Sequence, residues 1–379
     1  MSIIYFEGFE TVGTEIGLAY QATTRPRIDL RFDATSYGGI PSTDSFYLID
    51  DDYSEGYAIN MGQNGAFSSG NYLEMTPSQV QQGAPGPSTP TVIVGFRVHV
   101  ASLARTCSIF YVRGRYGPTG TDRQFEIAYV NSVDLKLSFG SGITTRETTV
   151  TGVFSPGNWH YVEVKFKCAE SADGGMVQIK VDGTTVLTQD PQDMNNNCSV
   201  EAYEWFRWHN ASHSAASGDF TGYDDIYILD ADTSPHTTYL GPCRVRSLPP
   251  SSDHLAEWSG TGPPNYAEVG ENGADDTDYI ETDVDNATDI YNVTDTVEPD
   301  AIYAVKLEAE AKNTTVGTPS LEFQLKSGAS TETAKETVDN ASYELFTHYN
   351  EADPATGSDW TNTAIDAMRA GLRFDNEIG

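Results

Sequence analysis

The chain has 379 residues, enough for two domains, and a formal net charge of −33 from 55 acidic against 22 basic side chains. So acidic a surface repels phosphate and excludes non-specific nucleic-acid binding, while 11% aromatic content excludes a disordered acidic chain. No stretch approaches the roughly 18 apolar residues needed to span a bilayer, so no membrane insertion is expected and a turn-rich β-protein with a packed core is.

In chain order, Met1 to Gly8 is a short apolar run without a basic flank, which predicts no secretory leader and synthesis in a cytoplasm. Thr91 to Val100 is apolar at first and then alternates. Phe125, Ile127 and Tyr129 alternate with mostly polar or small neighbours, as do Leu135, Leu137 and Phe139. In Trp159 to Lys167, Tyr161, Glu163 and Lys165 share one face and Val162, Val164 and Phe166 the other. Such period-2 runs are half-buried antiparallel strands. Residues 176–188 read as a hairpin, because Asp182-Gly183 supplies the positive φ that a two-residue type I′ turn requires.

Pro- and Gly-rich loop chemistry marks a boundary, so the expected organisation is a domain over 1–245, a linker over 246–264 and a second domain over 265–379. From Arg244 onward there are 27 acidic and only 8 basic side chains, yet Ala301 to Ala309 and Leu321 to Lys326 are strand-like. This predicts a small, acidic β-sandwich. Thr363 to Ala370 predicts a short helix closed by Gly371, with Thr361 or Thr363 as its cap.

The four cysteines, Cys107, Cys168, Cys198 and Cys243, form no metal spacing. Cys107 and Cys168 lie in apolar runs and read as buried thiols, with a Cys168–Cys198 bridge left open. Calcium is the one ligand the composition suggests, as a structural ion at Asp50, Asp51 and Asp52 or at Asp275, Asp276 and Asp278, although neither cluster has EF-hand spacing. Otherwise no cofactor is expected. Tyr111, Tyr116, Trp205 and Trp208 are the candidate rings for stacking on sugars, weighed against core packing. No Glu-x-Asp-x-x-Glu run, Gly-x-Ser-x-Gly elbow, His-Glu-x-x-His helix or phosphate loop occurs, so no catalytic residue and no enzymatic activity are expected. Adjacent Asp224 and Asp225 are expected on opposite faces of their strand.

Tyr5-Phe6-Glu7-Gly8-Phe9-Glu10, Gly157 to Val164, Val177 to Gly183 and Asp224 to Asp230 together resemble the concanavalin A-like, laminin-G-like jelly roll: an opening strand, a Trp-bearing central strand, a hairpin and a closing strand. The resemblance covers about two-thirds of the chain. It implies an all-β protein, with an amino-terminal concanavalin A-like jelly-roll sandwich before the smaller carboxyl-terminal one.

A narrower resemblance is to a group of phage and prophage virion proteins. It rests on Asp224-Asp225-Ile226-Tyr227-Ile228, then Tyr239-Leu240-Gly241-Pro242-Cys243-Arg244-Val245 and Leu248-Pro249-Pro250. Trp258, Tyr266 to Val269, Asp275 to Tyr279, Asp353 to Thr361 and Ala370-Gly371-Leu372 follow in the same order. The resemblance implies a structural component of a bacteriophage particle, tail- or fibre-associated or decorating the capsid. It implies residence in the virion after synthesis in the bacterial host cytoplasm, other virion proteins as partners, and a homo-oligomer. Two alternatives stay open: an adhesin binding host surface glycans, and a glycoside hydrolase or depolymerase, which the missing carboxylate pair disfavours.

Overall fold

The computed structural model describes residues 2–8, 46–50, 57–63, 71–75, 91–100, 106–116, 120–131, 133–139, 146–167, 175–192, 203–212, 219–270, 278–295, 301–314 and 317–376. They fold as a nearly all-β chain of antiparallel sheets, divided into two compact units, one reaching Val245 and the other beginning at Arg246.

In the first unit the strands are β1 (Ile3–Glu7), β2 (Phe46–Asp50), β3 (Tyr57–Gln63), β4 (Asn71–Met75), β5 (Val92–His99), β6 (Thr106–Tyr116) and β7 (Gly120–Val130). They continue as β8 (Asp134–Phe139), β9 (Arg146–Val150), β10 (Trp159–Lys167), β11 (Gly175–Val181), β12 (Thr184–Gln192), β13 (Tyr203–Ser212) and β14 (Asp219–Asp230). One sheet runs β12-β11-β10-β5-β14-β3-β2, with β1 also on β14, and the other runs β4-β13-β6-β7-β8-β9. This two-sheet arrangement is the sandwich that the alternating runs predict.

The core lies between the sheets and is aromatic. Phe96 stands 5.5 Å from Phe110, and Phe166 stands 5.1 Å from Phe125 and 5.9 Å from Phe206, ring centre to ring centre. Tilted and edge-on pairs of this kind contribute about 0.5–1.5 kcal/mol each beyond the area they bury. Val162, Val164 and Phe166 point into this core, which turns Tyr161, Glu163 and Lys165 to the opposite face, as their alternation predicts. The β11–β12 hairpin turns at Asp182 (φ 50°) and Gly183 (φ 77°), both in the left-handed region that its turn type requires.

The second unit holds β15 (Pro250–Ala256), β16 (Ser259–Gly260), α1 (Asn265–Val269), β17 (Ile280–Glu281), β18 (Thr288–Val293), β19 (Val305–Ala311) and β20 (Ser320–Ser327). β21 (Ser330–Thr337), β22 (Glu344–Asn350), α2 (Asn362–Asp366) and β23 (Arg369–Asp375) complete it. A sheet ordered β15-β18-β23-β20-β21 accompanies the pairs β16-β17 and β19-β22. Leu307, Phe323, Leu325, Trp360, Ile365 and Met368 form its core.

Two expectations are corrected here. Residues 246–264 are not a plain linker, because β15 and β16 lie within them; β15 pairs with β18 as the edge strand of its sheet. The carboxyl-terminal helix is capped by the Thr361 hydroxyl, which accepts from Ala364 N at 3.2 Å, but it ends at Asp366. Gly371, expected to close it, lies inside β23, where a Cβ would stand 1.9 Å from the Asp289 carbonyl oxygen. Only glycine permits that close approach of two strands.

Candidate functional site

The outer face of β5, β10 and β14 carries three cross-strand rows: Trp159, His99 and Gly222; Tyr161, Arg97 and Asp224; Glu163, Gly95 and Tyr227. Burial is nearly complete, at 1% exposure for Glu163, 3% for Tyr227 and 4% for Tyr161. The polypeptide after β14 lies over this face. Its segment from Tyr239 to Val245, here termed the strap, is fixed by side chains of the sheet.

Each anchor follows from a residue type at its register position. Gly95 leaves room for Tyr227 to lie flat on the sheet; a Cβ there would stand 2.1 Å from a carbon of the Tyr227 ring. So placed, the Tyr227 hydroxyl donates to Glu163 Oε1, accepts from Leu240 N at 3.3 Å, and the ring stacks on Tyr161 at 6.5 Å. Gly241 N donates to the same Glu163 oxygen at 2.9 Å. The other oxygen, Oε2, is buried without a hydrogen-bond partner. Tyr239 donates its hydroxyl to the Gln178 side chain at 3.0 Å, and Lys180 Nζ sits 4.1 Å over its ring. Val245 N closes the strap by donating to Asp225 Oδ1 at 2.8 Å.

Asp224 and Asp225 do not point to opposite faces. A register shift interrupts the β5–β14 pairing between Asp224 and Tyr227, and Asp225 has φ 49°. Such a bulge re-aims side chains. Both carboxylates therefore reach one guanidinium, Arg97 Nη1, at 3.6 Å and 3.3 Å. Burial pushes the Asp225 carboxyl up to about 6, against the Val245 N–H and the Arg97 charge, which favour its ionised form. Burial also pushes the Cys243 thiol up to about 12, reinforced by the Glu163 and Asp225 charges, so Cys243 is not a thiolate nucleophile at neutral pH. Tyr161 and Tyr227 are raised well above the ordinary phenol value, chiefly by burial.

Beside the strap an open cleft of about 190 Å³ is lined by Arg97, Trp159, His160, Tyr161, Asp182, Pro242, Cys243 and Arg244. The Arg97 guanidinium stands 5.0 Å from the Trp159 ring centre. His160 Nδ1 meets Asp182 Oδ2 at 2.7 Å and its Nε2 faces Ser155, so this histidine ties the β11–β12 turn to the preceding loop.

The candidate sugar-stacking residues do not converge on this face. Trp208 is a correction: it is fully buried between the sheets, 5.6 Å from Phe110. Tyr111 is a second, at 4% exposure, its hydroxyl taken by Arg207 Nη1. The side chains of Tyr116 in β6 and Trp205 in β13 lie outside the described part. Of the proposed metal ligands, Asp51, Asp52, Asp275 and Asp276 lie outside the described residues, as does the side chain of Asp50 in β2, and Asp278 is exposed. Among the described residues no group of three or more His, Cys, Asp or Glu is placed to hold a metal ion. Cys107 is a buried free thiol and Cys243 is also free, while Cys168 and Cys198 lie outside the described residues. No helix of the described residues is long and apolar enough to cross a membrane.

No protein-family model and no curated protein matches the chain. Among solved structures it is similar to an endo-β-1,4-glucuronan lyase from the fungus Trichoderma reesei, at 14% identity and TM-score 0.37, over 59% of this chain and 94% of that one. An alginate lyase from Pseudomonas aeruginosa gives 13%, 0.33, 50% and 86%. The CBM40 of a Ruminococcus gnavus sialidase gives 10%, 0.28, 41% and 79%. Several of these neighbours are named as enzymes, so the expectation of a chain without enzymatic activity does not stand. The motifs absent from the sequence are those of hydrolases, nucleophile elbows and metal helices, and an eliminating enzyme requires none of them. At these TM-scores the likeness assigns no activity to this chain.

Proposed function

We propose that the chain is a structural component of a bacteriophage particle, associated with the tail or its fibres or decorating the capsid. One observation carries this reading. The residues whose order resembles virion proteins, Asp224 to Ile228 and Tyr239 to Val245, are the ones that build the strap and its seat. In a virion protein such a motif has a mechanical task, holding the chain leaving one sandwich flat against it where the next unit begins. Buried charge-assisted and phenolic bonds suit that task because each contributes more than an exposed pair.

The test is to raise an antibody to the chain and label purified particles of the phage that encodes it, with proteomics of the same particles. The reading expects stoichiometric protein and regularly placed label. Particles free of the chain would overturn it.

A second reading, binding of host surface glycans, is favoured by the open cleft with its Trp159 wall and polar rim. Retention on a glycan array, lost in Trp159→Ala, is its expected result. Sugar release in the same assay would point to catalysis instead.

A further inference from the structure

The cleft beside the strap has one aromatic wall and one fixed carboxylate. Trp159 reaches from β10 across His99 of β5 to lie over Gly222 of β14, where a Cβ would stand 2.8 Å from Cη2 of the indole. Glycine at that register position is what lets the ring settle on the sheet and border the cleft. The carboxylate is Asp182, whose side chain is 53% exposed. Tyr161 N donates to its Oδ1 at 2.8 Å, and His160 Nδ1 meets its Oδ2 at 2.7 Å. A carboxylate has about four acceptor positions, so two protein bonds hold this one in place and leave it able to take two hydroxyl protons. Its partial burial pulls its proton affinity up, but the bonds from His160 and Tyr161 outweigh that, and Asp182 stays ionised at neutral pH.

The cations lining the cleft already face carboxylates of the protein. Arg97 meets Asp224 at 3.6 Å and Asp225 at 3.3 Å, the charge of Arg244 acts on Asp225, and His160 meets Asp182. An acidic sugar entering the cleft would set its own carboxylate beside Asp182, on a chain of net charge −33. A neutral sugar meets no such repulsion, and its hydroxyls supply the protons that Asp182 accepts. Pockets for drug-sized ligands measure roughly 300–1,000 Å³. The cleft, at about 190 Å³, suits a single sugar ring. Resting on the glycan-binding reading of this cleft, we infer that it selects a neutral sugar residue: the apolar face of the ring lies on Trp159, adjacent hydroxyls donate to Asp182, and acidic sugars are turned away by the Asp182 charge.

The test presents the full chain with matched oligosaccharides that differ only at C6 of the terminal ring: glucose against glucuronate, galactose against galacturonate, mannose against mannuronate. Each is offered as a concentration series at about 0.15 M salt. The neutral member of the preferred pair should bind about tenfold more tightly than its acidic twin. Asp182→Asn keeps a residue that tolerates the positive-φ turn and an acceptor for Tyr161 N. It should lose about tenfold on the neutral sugar and narrow the gap to the acidic one. A merely structural loss would weaken both members alike, so the ratio isolates the sugar contact. Acidic sugars bound as well as neutral ones or better, with binding lost in Trp159→Ala, would overturn the neutral preference and leave the glycan reading standing. An unchanged ratio in a folded Asp182→Asn would overturn the part given to Asp182. Retention of no sugar at all would overturn the inference and the glycan reading together.

Discussion

At the scale of residues, Tyr227 and His160 show how one side chain can join segments far apart in sequence. The Tyr227 hydroxyl satisfies both Glu163 and the Leu240 amide. Tyr227→Phe keeps the ring but leaves both partners short of a bond in a buried place, which costs about 1–3 kcal/mol. Urea unfolding should show that loss as a lower midpoint at unchanged slope. His160, like Asp225, holds its proton more tightly in the fold than free in water. Burial lowers its proton affinity, but the bond and charge of Asp182 and the Ser155 carbonyl outweigh that, so the net value is raised. Asp182 is correspondingly lowered, its own burial being outweighed by His160 and the Tyr161 amide. A raised histidine contributes stability that is fully present below its ordinary value of roughly 6.5 and is lost as pH rises through the folded value. The thermal midpoint of the first unit should thus fall from pH 6 to pH 8 by more in the wild type than in His160→Gln. Equal slopes would show that the pair contributes nothing.

At the scale of elements, the two sandwiches rest on different amounts of local information. The β11–β12 hairpin is legible because Asp182-Gly183 and the flanking alternation demand the same geometry. β23 is not, because Thr363 to Ala370 has helical composition and its latter part is drawn into a sheet by β18 and β20 on either side. Gly371 is the residue on which that choice turns. Gly371→Ala would push β18 away from β23, since the obstacle is backbone rather than a movable side chain. A loss of about 2–4 kcal/mol, confined to the second unit, is the expected outcome. Calorimetry would show the transition of that unit shifting while the other holds. The exposed ion pair Lys136–Glu147, at 2.6 Å, is worth far less, about 0–1 kcal/mol, and its removal should pass almost unnoticed.

At the scale of the whole molecule, charge and division into units decide how copies meet. Each unit has its own core, and a net charge of −33 makes copies repel. Association into a homo-oligomer or onto a particle therefore needs apolar and backbone contacts, with charge confined to the rim. Screening shortens the reach of that repulsion below roughly 10 Å above 0.1 M salt. Light scattering across a salt series should show association that strengthens or holds. Dissociation in moderate salt would instead reveal a basic partner on the acidic surface.

The amino-acid sequence by itself determined the class of fold, the strands of both sheets' centres and the tight hairpin, because period-2 alternation and turn residues act over a few neighbours. It also placed Tyr161 and Glu163 on the face opposite Val162 and Val164. Tertiary structure alone decided which faces are covered. Alternation says that Arg207 and Trp208 lie on opposite faces of one strand, not that Trp208 enters the core beside Phe110 while register sets Tyr111 beside Arg207, which takes its hydroxyl. The strap's seat depends on Glu163 meeting Gly241, which lies 78 residues further along, and on a bulge that turns Asp225 toward Arg97 against the alternation rule. Neither leaves a local pattern, because a hydrogen bond between distant segments depends on where the sheet brings them rather than on their spacing.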